Sequence, residues 1–306
     1  MSVRFGVDLG GTKTELLALE GSREVYRKRV STPATEGYAA IIRCLRDLVT
    51  EAETELGLRG TVGVGTPGAI GPATGRLKNA NTTALNGKAF DRDLSDALGR
   101  PVRLANDANC FALSEASDGA GAGADVVFGV IVGTGTGAGV VVHGRVLAGP
   151  NAIAGEWGHM PLPWPRPGEL PGPSCYCGLR GCVETWLSGP GLARDHEAAT
   201  GERLEGADLA ERASAGDADA QATLDRHADR FARSLAVVLN VLDPDVVVLG
   251  GGVSKLTHLY AAIPARWGAY VFSDVVRTRL VPAKHGDSSG VRGAAWLWSI
   301  AEAARL

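Results

Sequence analysis

The chain has 306 residues, a formal net charge of -3 and a composition of 45% hydrophobic and 21% charged residues, which suits two folded domains and excludes a mainly disordered protein. Its slightly acidic balance provides no overall positive field for nucleic acid or an anionic membrane surface. Because it has no run of 18 apolar residues and no signal-peptide pattern at its start, we expect a cytoplasmic protein.

The first predicted elements are two short strands joined by a glycine turn. Val3 to Asp8 is an apolar strand, Gly10 to Lys13 a tight turn and Thr14 to Leu19 a second strand. This order excludes a Walker loop, which leads into a helix. In DLGGTK the two glycines let backbone N–H groups face a phosphate, while Thr12 and Lys13 add a hydroxyl and a charge. An unliganded glycine hairpin is the alternative.

Helix and strand signals then alternate. Tyr38 to Leu56 has the spacing of an amphipathic helix, and TVGVGTPGAI after it indicates a strand ending in a glycine and proline loop. Val102 to Leu104 is a short strand before NDAN, where a helix begins. Asp107 in NDAN is either the cap of this helix or an ionised carboxylate that can accept a hydroxyl proton.

A second strand, glycine turn and strand begins at Asp125. GTGTGAG, residues 133–139, has the spacing of a dinucleotide fingerprint, but VVVHGRV after it is typical of a strand where that fingerprint needs a helix. We therefore favour a second phosphate hairpin over an unliganded glycine turn. After a mostly helical stretch, residues 187–242, the buried strand VVVLG ends at residues 250–252, which are either a nucleotide contact or a turn requiring positive φ.

Three of the five cysteines lie inside the long loop Pro161 to Cys182, within a stretch of eight residues. Cys175, Cys177 and Cys182, together with the imidazole of His159, supply the four ligands of a closed Cys3His zinc site. A disulfide would need an oxidising compartment and would leave one thiol over. We therefore predict a structural zinc ion.

Acidic side chains next to Trp and His occur in GEWGH, residues 155–159, and in CVETW around Glu184. They suit a polyol, whose hydroxyl groups need hydrogen-bond acceptors. The alternative is a surface carboxylate and a group that orients His159.

In their order along nearly the whole chain, these motifs resemble the ROK family of repressors, open reading frames and kinases, whose fold is similar to that of actin, hexokinase and the Hsp70 ATPase domain. GVDLGGTKTE resembles the first phosphate loop of the family, GTGTGAG the second, NDAN the catalytic segment, GEWGH with CYCGLRGCVE the sugar and zinc signatures, and LDPDVVVLGGG the last nucleotide segment. LKNANTTALNG, MPLPW and KHGDSSGVRGAAWLW resemble bacterial fructokinases of the mannofructokinase type.

The resemblance implies a two-domain α/β fold with a cleft between the domains. Residues 1–112 with a C-terminal helix, 290–306, would form the first domain, and residues 113–289 with a zinc-binding loop, 159–182, the second. Asp107 would be the general base. The residues implied to bind sugar are Gly68, Asn81, Asn106, Asp107, Glu156, His159 and Glu184. Those implied to surround ATP and Mg²⁺ are Asp8, Gly10, Gly11, Thr12, Lys13, Gly133, Thr134, Gly135, Thr136, Gly137, Gly250, Gly251 and Gly252.

The implied reaction is transfer of the γ-phosphoryl group of ATP to a hexose, with D-fructose at its 6-hydroxyl as the expected substrate and mannose also accepted. An N-acetylglucosamine kinase or glucokinase of the same family is the alternative. A sugar-responsive repressor is a remote alternative, because the first strand starts at Val3 and leaves no room before it for a DNA-binding domain. A homodimer is expected, with hexose and ATP as partners and neither nucleic acid nor membrane.

Overall fold

The computed structural model describes residues 2–80 and 82–305, apart from the side chain of Asp287. Internal contacts divide the chain into two units. Unit 1 comprises Met1–Ala122, Gly144–Ala154 and Asp287–Leu306, and unit 2 comprises Gly123–His143 and Gly155–Gly286. The division lies later than the boundary expected near residue 112, because the helix that begins at Asp107 runs to Ser117 and belongs entirely to unit 1.

Strands and helices alternate along much of the chain. The strands are β1 (Val3–Leu9), β2 (Lys13–Glu20), β3 (Arg23–Ser31), β4 (Gly60–Thr66), β5 (Ala69–Gly71), β6 (Arg76–Lys78), β7 (Val102–Asn106), β8 (Val126–Val132), β9 (Thr136–Val142), β10 (Arg145–Val146), β11 (Val246–Gly250) and β12 (Arg279–Pro282). The α-helices are α1 (Tyr38–Leu56), α2 (Phe90–Leu98), α3 (Asp107–Ser117), α4 (Val183–Leu187), α5 (Gly189–Thr200), α6 (Gly206–Ser214), α7 (Ala218–Leu242), α8 (Leu259–Ala262), α9 (Pro264–Trp267), α10 (Ser289–Trp296) and α11 (Ile300–Ala303). Within the described residues, none of these helices has the length and apolar character needed to cross a membrane.

The sheet of unit 1 has the strand order β3–β2–β1–β4–β7. The predicted hairpin is present, since β1 pairs antiparallel with β2 and places Asp8 opposite Glu15. β4 runs parallel to β1, and β7 runs parallel to β4. The sequence did not predict β3, a strand at the edge of the sheet in which charged residues outnumber apolar ones. The carboxyl ends of β1, β4 and β7 therefore lie at one edge, which is where ligands bind in open α/β sheets.

The sheet of unit 2 repeats this arrangement. β8 pairs antiparallel with β9, β11 runs parallel to β8, and β12 runs parallel to β11. The predicted second strand begins at Thr136, inside the glycine motif, which leaves a turn of residues 133–135. A dinucleotide fingerprint would open a helix here, so this strand excludes that alternative.

Helix α10 lies directly on the sheet of unit 1 because glycines remove side chains at the contact. A Cβ atom at Gly6 of β1 would lie 2.1 Å from the carbonyl oxygen of Val291, and one at Gly63 of β4 would lie 1.9 Å from the carbonyl oxygen of Ala294. The single C-terminal helix predicted for residues 290–306 is in fact two helices. Ser299 caps α11 through a capping box with Glu302, which restarts the helix after α10 ends.

Candidate active site

The turn of the first hairpin is fixed by hydrogen bonds from outside the motif. Gly10 N–H donates to the carbonyl of Lys13 at 3.0 Å. The hydroxyl of Thr32 donates to the carbonyl of Gly10 at 2.8 Å, and its N–H donates to the carbonyl of Thr12 at 3.0 Å. Sequence analysis missed Thr32, because nothing in its local pattern connects it to a turn twenty residues earlier. The turn therefore has a defined shape in the unliganded protein.

Asp8 is the penultimate residue of β1, and its surroundings destabilise the negative charge of its carboxyl group. Burial, followed by the negative charges of Asp107 and Glu15, raises its pKa to about 6, and Arg29 acts in the opposite direction. A carboxyl with these surroundings is stabilised by a nearby cation. The position matches the prediction that Asp8 stands at a strand end where a metal ion would approach.

The start of α3 gives the cap, one of the two roles considered for Asp107, to its neighbour. The N-cap is Asn106, whose side-chain oxygen accepts a hydrogen bond from Asn109 N–H at 2.8 Å. Asp107 follows it as the first helical residue, and its Oδ1 accepts from Ala108 N–H at 2.8 Å. The helix is thus capped without Asp107, whose side chain is exposed in unit 1. Desolvation by the surrounding protein still raises the pKa of this carboxyl, against the backbone N–H groups that lower it.

One further predicted sugar contact of unit 1, Gly68, is described by the structure. Gly68 has φ of +88°, and a Cβ atom there would lie 2.3 Å from the carbonyl oxygen of Lys78, so the loop after β4 requires glycine at this position. Asn81 lies outside the described residues. The conformation of the loop backbone therefore explains why residue 68 is glycine.

Glu184 links the second hairpin to the predicted sugar signature. This residue lies in α4, and its Oε2 accepts a hydrogen bond from Thr136 N–H at 2.9 Å. A Cβ atom at Gly135 would lie 2.7 Å from the same oxygen, so a side chain there would displace the Glu184 carboxylate. Thr134 is exposed at the turn, and Gly137 lies in β9. One carboxylate oxygen of Glu184 is thus committed to the glycine turn.

The third glycine cluster lies against the second hairpin. Gly251, with φ of +82°, would place a Cβ atom 2.4 Å from the carbonyl oxygen of Val132, the last residue of β8. Gly189, at the start of α5, donates its N–H to the carbonyl of Gly133 at 2.8 Å. Sequence analysis did not single out Gly189. Its only local signal was the sequence GPG directly after Ser188, the C-cap residue of α4.

One glycine in each of the three motifs has no structural reason to be glycine. A Cβ atom at Gly133 or Gly252 would meet no atom within 4 Å, and at Gly11 the nearest atom would be Thr82 Oγ1 at 3.6 Å. None of the three has φ in the left-handed region. Bare backbone at these positions is what a close-fitting ligand such as phosphate requires.

The GEWGH segment lies directly on β9. A Cβ atom at Gly155 would lie 2.3 Å from the carbonyl oxygen of Ala138, and one at Gly158 would lie 2.1 Å from that of Thr136. Trp157 is buried between these glycines, while Glu156 is exposed and His159 is half-buried. This contact fixes Glu156 and His159 beside the strand that follows the glycine turn.

The predicted metal ligands are together. The donor atoms of His159, Cys175, Cys177 and Cys182 all lie within 4.8 Å of one another. Cys175 Sγ lies 3.6 Å from His159 Nδ1, and Cys177 Sγ lies 3.6 Å from Cys182 Sγ. These separations exceed a disulfide bond of about 2.05 Å, and they suit tetrahedral ligands about 2.0–2.3 Å from a common ion. The cluster can therefore hold a metal through three sulfurs and Nδ1.

A buried ion-pair cluster anchors the loop that carries these ligands. Arg233 of α7 is 1% exposed and donates to both carboxylate oxygens of Glu169, and also to the carbonyls of Pro163 and Trp164. Arg230 adds a hydrogen bond to Glu169 at 2.8 Å. Burial acts to raise the pKa of Glu169, but these hydrogen bonds lower it to about 2. Sequence analysis missed this anchor.

The predicted residues thus form one group in each unit. In unit 1, the glycine turn with Thr12 and Lys13 follows Asp8, whose charge interacts with that of Asp107. In unit 2, the remaining two glycine clusters, Glu184, the GEWGH segment and the metal-ligand cluster are connected by the contacts described above.

Comparison with known proteins supports a single family. The chain matches the ROK family over residues 4–301. It is 38% identical over 298 residues to the N-acetyl-D-glucosamine kinase of Yersinia enterocolitica serotype O:8, which covers 96% of this chain and 98% of that relative.

Solved structures extend the similarity to the fold. The ROK hexokinase from Thermus thermophilus has a TM-score of 0.84 and 35% identity, covering 96% of this chain and 97% of that one. The ROK family glucokinase from Streptomyces griseus, in complex with glucose and AMPPNP, has a TM-score of 0.72 and 27% identity, with coverages of 96% and 98%. The predicted α/β fold of the hexokinase type is confirmed. The chain therefore belongs to the ROK family and is similar along nearly its whole length to sugar kinases of that family.

Proposed function

We propose that this protein is an ATP-dependent kinase and that its sugar substrate is N-acetyl-D-glucosamine. The observation that carries the kinase assignment is Asp107, a carboxylate that the helix does not need as its cap. The substrate assignment is supported by the relative named as an N-acetyl-D-glucosamine kinase, which is similar over 96% of the chain. The comparisons lend no support to fructose, which three short segments favoured in the sequence.

The proposed reaction needs a base but little other covalent chemistry. The sugar hydroxyl oxygen attacks the γ-phosphorus of ATP, the bond to the ADP oxygen breaks, and the hydroxyl proton passes to a carboxylate oxygen of Asp107. A raised pKa makes this carboxylate a better proton acceptor. In unit 2, Glu156, His159 and the second oxygen of Glu184 bind sugar hydroxyls.

The kinase proposal predicts an order of catalytic efficiency among hexoses and a large loss of activity when Asp107 is replaced. We expect ADP release with N-acetylglucosamine at a higher kcat/KM than with glucose, mannose or fructose. Asp107→Asn should lower kcat by about 100-fold or more, because an amide cannot accept the proton. Asp208→Asn, which removes an exposed carboxylate from the first turn of α6, is the matched control.

The outcomes separate the two parts of the proposal. A higher kcat/KM for another hexose would make the substrate assignment wrong and leave the kinase assignment in place. If no hexose supports ADP release, or if Asp107→Asn keeps more than half of the kcat, the proposed base and the proposed reaction are wrong.

The glycine turns are proposed to bind the ATP phosphates through backbone N–H groups. Support comes from the open space at Gly11, Gly133 and Gly252, where glycine serves neither packing nor backbone conformation. The glucokinase from Streptomyces griseus, with 27% identity, was solved with an ATP analogue. Thr12, Lys13 and Thr134 would add polar groups at the same turns.

A side chain at Gly133 should obstruct ATP without disturbing the fold. We expect Gly133→Val to raise the KM for ATP by about tenfold or more, equivalent to about 1.4 kcal/mol of steric conflict. The KM for sugar should change less than threefold. Gly268→Val is the matched control, since Gly268 at the end of α9 also has no atom within 4 Å of a Cβ position and no left-handed φ. Equal losses for both substrates would contradict the phosphate role.

Asp8 and its surroundings fit a Mg²⁺ ion that accompanies ATP. The fit rests on the place of Asp8 near the carboxyl end of β1, directly before the glycine turn, where its half-buried carboxylate lies near a second negative charge. Asp8 would hold the ion, which supplies positive charge to the phosphate oxygens when bound. In the unliganded protein, the carboxylate instead destabilises the folded state at neutral pH.

Asp8→Asn should stabilise the unliganded protein in a pH-dependent manner. The folded pKa of about 6 lies above the ordinary value of 3.8, so the wild type gains stability as pH falls through 6 towards 4. We expect the variant to have a free energy of unfolding higher by about 1–3 kcal/mol at pH 8, with this advantage lost by pH 4. Denaturant titrations at both pH values measure it. An advantage that is absent at pH 8, or unchanged at pH 4, would contradict the charge argument.

The metal-ligand cluster is proposed to hold a structural zinc ion. Three thiolates and one imidazole form a complete ligand set, which leaves no position for a reacting water. The ion would fix His159 and the loop of Cys175 and Cys177, so that the other ring nitrogen of His159 can contact sugar.

Elemental analysis should find one zinc ion per chain. Cys177→Ser is expected to lose most of it, because the site then has only three of its ligands. Cys44→Ser, which changes a half-buried cysteine of α1 in unit 1, should retain the full content. Zinc well below one ion per chain in protein purified without chelator would make the assignment wrong.

A further inference from the structure

Tyr176 lies between two of the metal-ligand cysteines and directs its hydroxyl at His159. Its Oη lies 3.0 Å from Nε2 of His159, and the two rings meet edge to face with their centroids 5.1 Å apart. The other ring nitrogen, Nδ1, is the one that lies 3.6 Å from Cys175 Sγ. The two nitrogens of His159 therefore face different partners.

The metal-ligand geometry determines the direction of this hydrogen bond. A metal ion at Nδ1 takes the lone pair of that nitrogen, so the ring proton is on Nε2. The Nε2–H group then donates to the Tyr176 hydroxyl oxygen. A sugar hydroxyl bound to His159 would have to accept from the same N–H, and one N–H cannot serve both at full strength.

Tyr176 is free to move away from His159. The residue is 83% exposed, so its ring loses little packing when the side chain rotates. The neighbouring cysteines belong to the metal-ligand cluster, so a bound ion would hold the backbone in place. The hydroxyl thus contacts His159, one of the side chains proposed to bind sugar.

We propose that Tyr176 sets the affinity of the sugar site by occupying the Nε2–H group of His159 until a sugar hydroxyl displaces it. Tyr176 is a positioning residue and takes no part in the phosphoryl transfer. The inference rests on the proposed function, in which His159 binds the sugar.

Removing the tyrosine hydroxyl should tighten sugar binding. A neutral hydrogen bond contributes about 0.5–1.5 kcal/mol net, so we expect Tyr176→Phe to lower the Kd for N-acetylglucosamine by about two- to tenfold in calorimetry without ATP. Sugar KM should fall in parallel, with kcat and the KM for ATP unchanged. Tyr26→Phe on β3 removes a hydroxyl from unit 1 and should leave the Kd unchanged.

A ¹⁹F NMR measurement on the wild-type chain labelled with fluorotyrosine provides a second test. The protein has five tyrosines, and in fluorotyrosine-labelled protein each gives a ¹⁹F resonance. The resonance missing from Tyr176→Phe should shift when N-acetylglucosamine is added and should not shift with ADP alone. Tyr176→Phe is also expected to keep the zinc content of the wild type.

Three results would overturn the inference while leaving the proposed function intact. They are an unchanged or higher Kd for Tyr176→Phe when the wild type binds and phosphorylates the sugar, a Tyr176 resonance that does not respond to sugar, and a loss of zinc from Tyr176→Phe. A wild type that binds none of the four hexoses would overturn both the inference and the proposed function.

Discussion

Desolvation of the Asp8 carboxyl near the end of β1, to which the negative charge of Asp107 adds, is the constraint on which the candidate site of unit 1 depends. β1 and β4 run parallel, β7 continues the sheet, and α3 begins where β7 ends, so two carboxylates are held at one edge. Desolvation by the surrounding protein raises the pKa of both carboxyls, and neither change favours folding at neutral pH. A protein that holds two such charges together is less stable than it need be without a cation, which is the usual sign that a site serves chemistry.

Much of the fold could be predicted from the sequence because its signals are local. The helix predicted for Tyr38 to Leu56 has those bounds in the structure, and the β1–β2 hairpin follows from a glycine turn between apolar segments. β3 was missed because its residues, REVYRKRVS, do not alternate between polar and apolar types. The break before α11 was missed because the capping box of Ser299 and Glu302 competes with a helical pattern that continues through it.

The candidate site was predicted where residue type alone limits the chemistry, and missed where distant residues decide it. The four candidate metal ligands, whose donor atoms lie within 4.8 Å of one another, could be named because three thiols and an imidazole have few other uses in such a loop. Asn106 and Asp107 are both good caps, so only coordinates could assign that role. The Arg233–Glu169 contact joins positions 64 residues apart, beyond any local pattern. Hydroxyl acceptors suit every hexose, so the sugar could not be chosen by physical reasoning and depends on whole-chain similarity.

Glu184 has a consequence for how the protein can change over evolutionary time. Its Oε2 holds Thr136 N–H in the glycine turn, while the proposed function assigns its other oxygen to the sugar. In the proposed function, a substitution at Glu184 would alter the glycine turn and the sugar contact together. Selection for a new sugar would then be opposed by damage to the turn. Tyr176 is exposed and has no such double duty. Adaptation to another hexose is therefore open at Tyr176 and largely closed at Glu184.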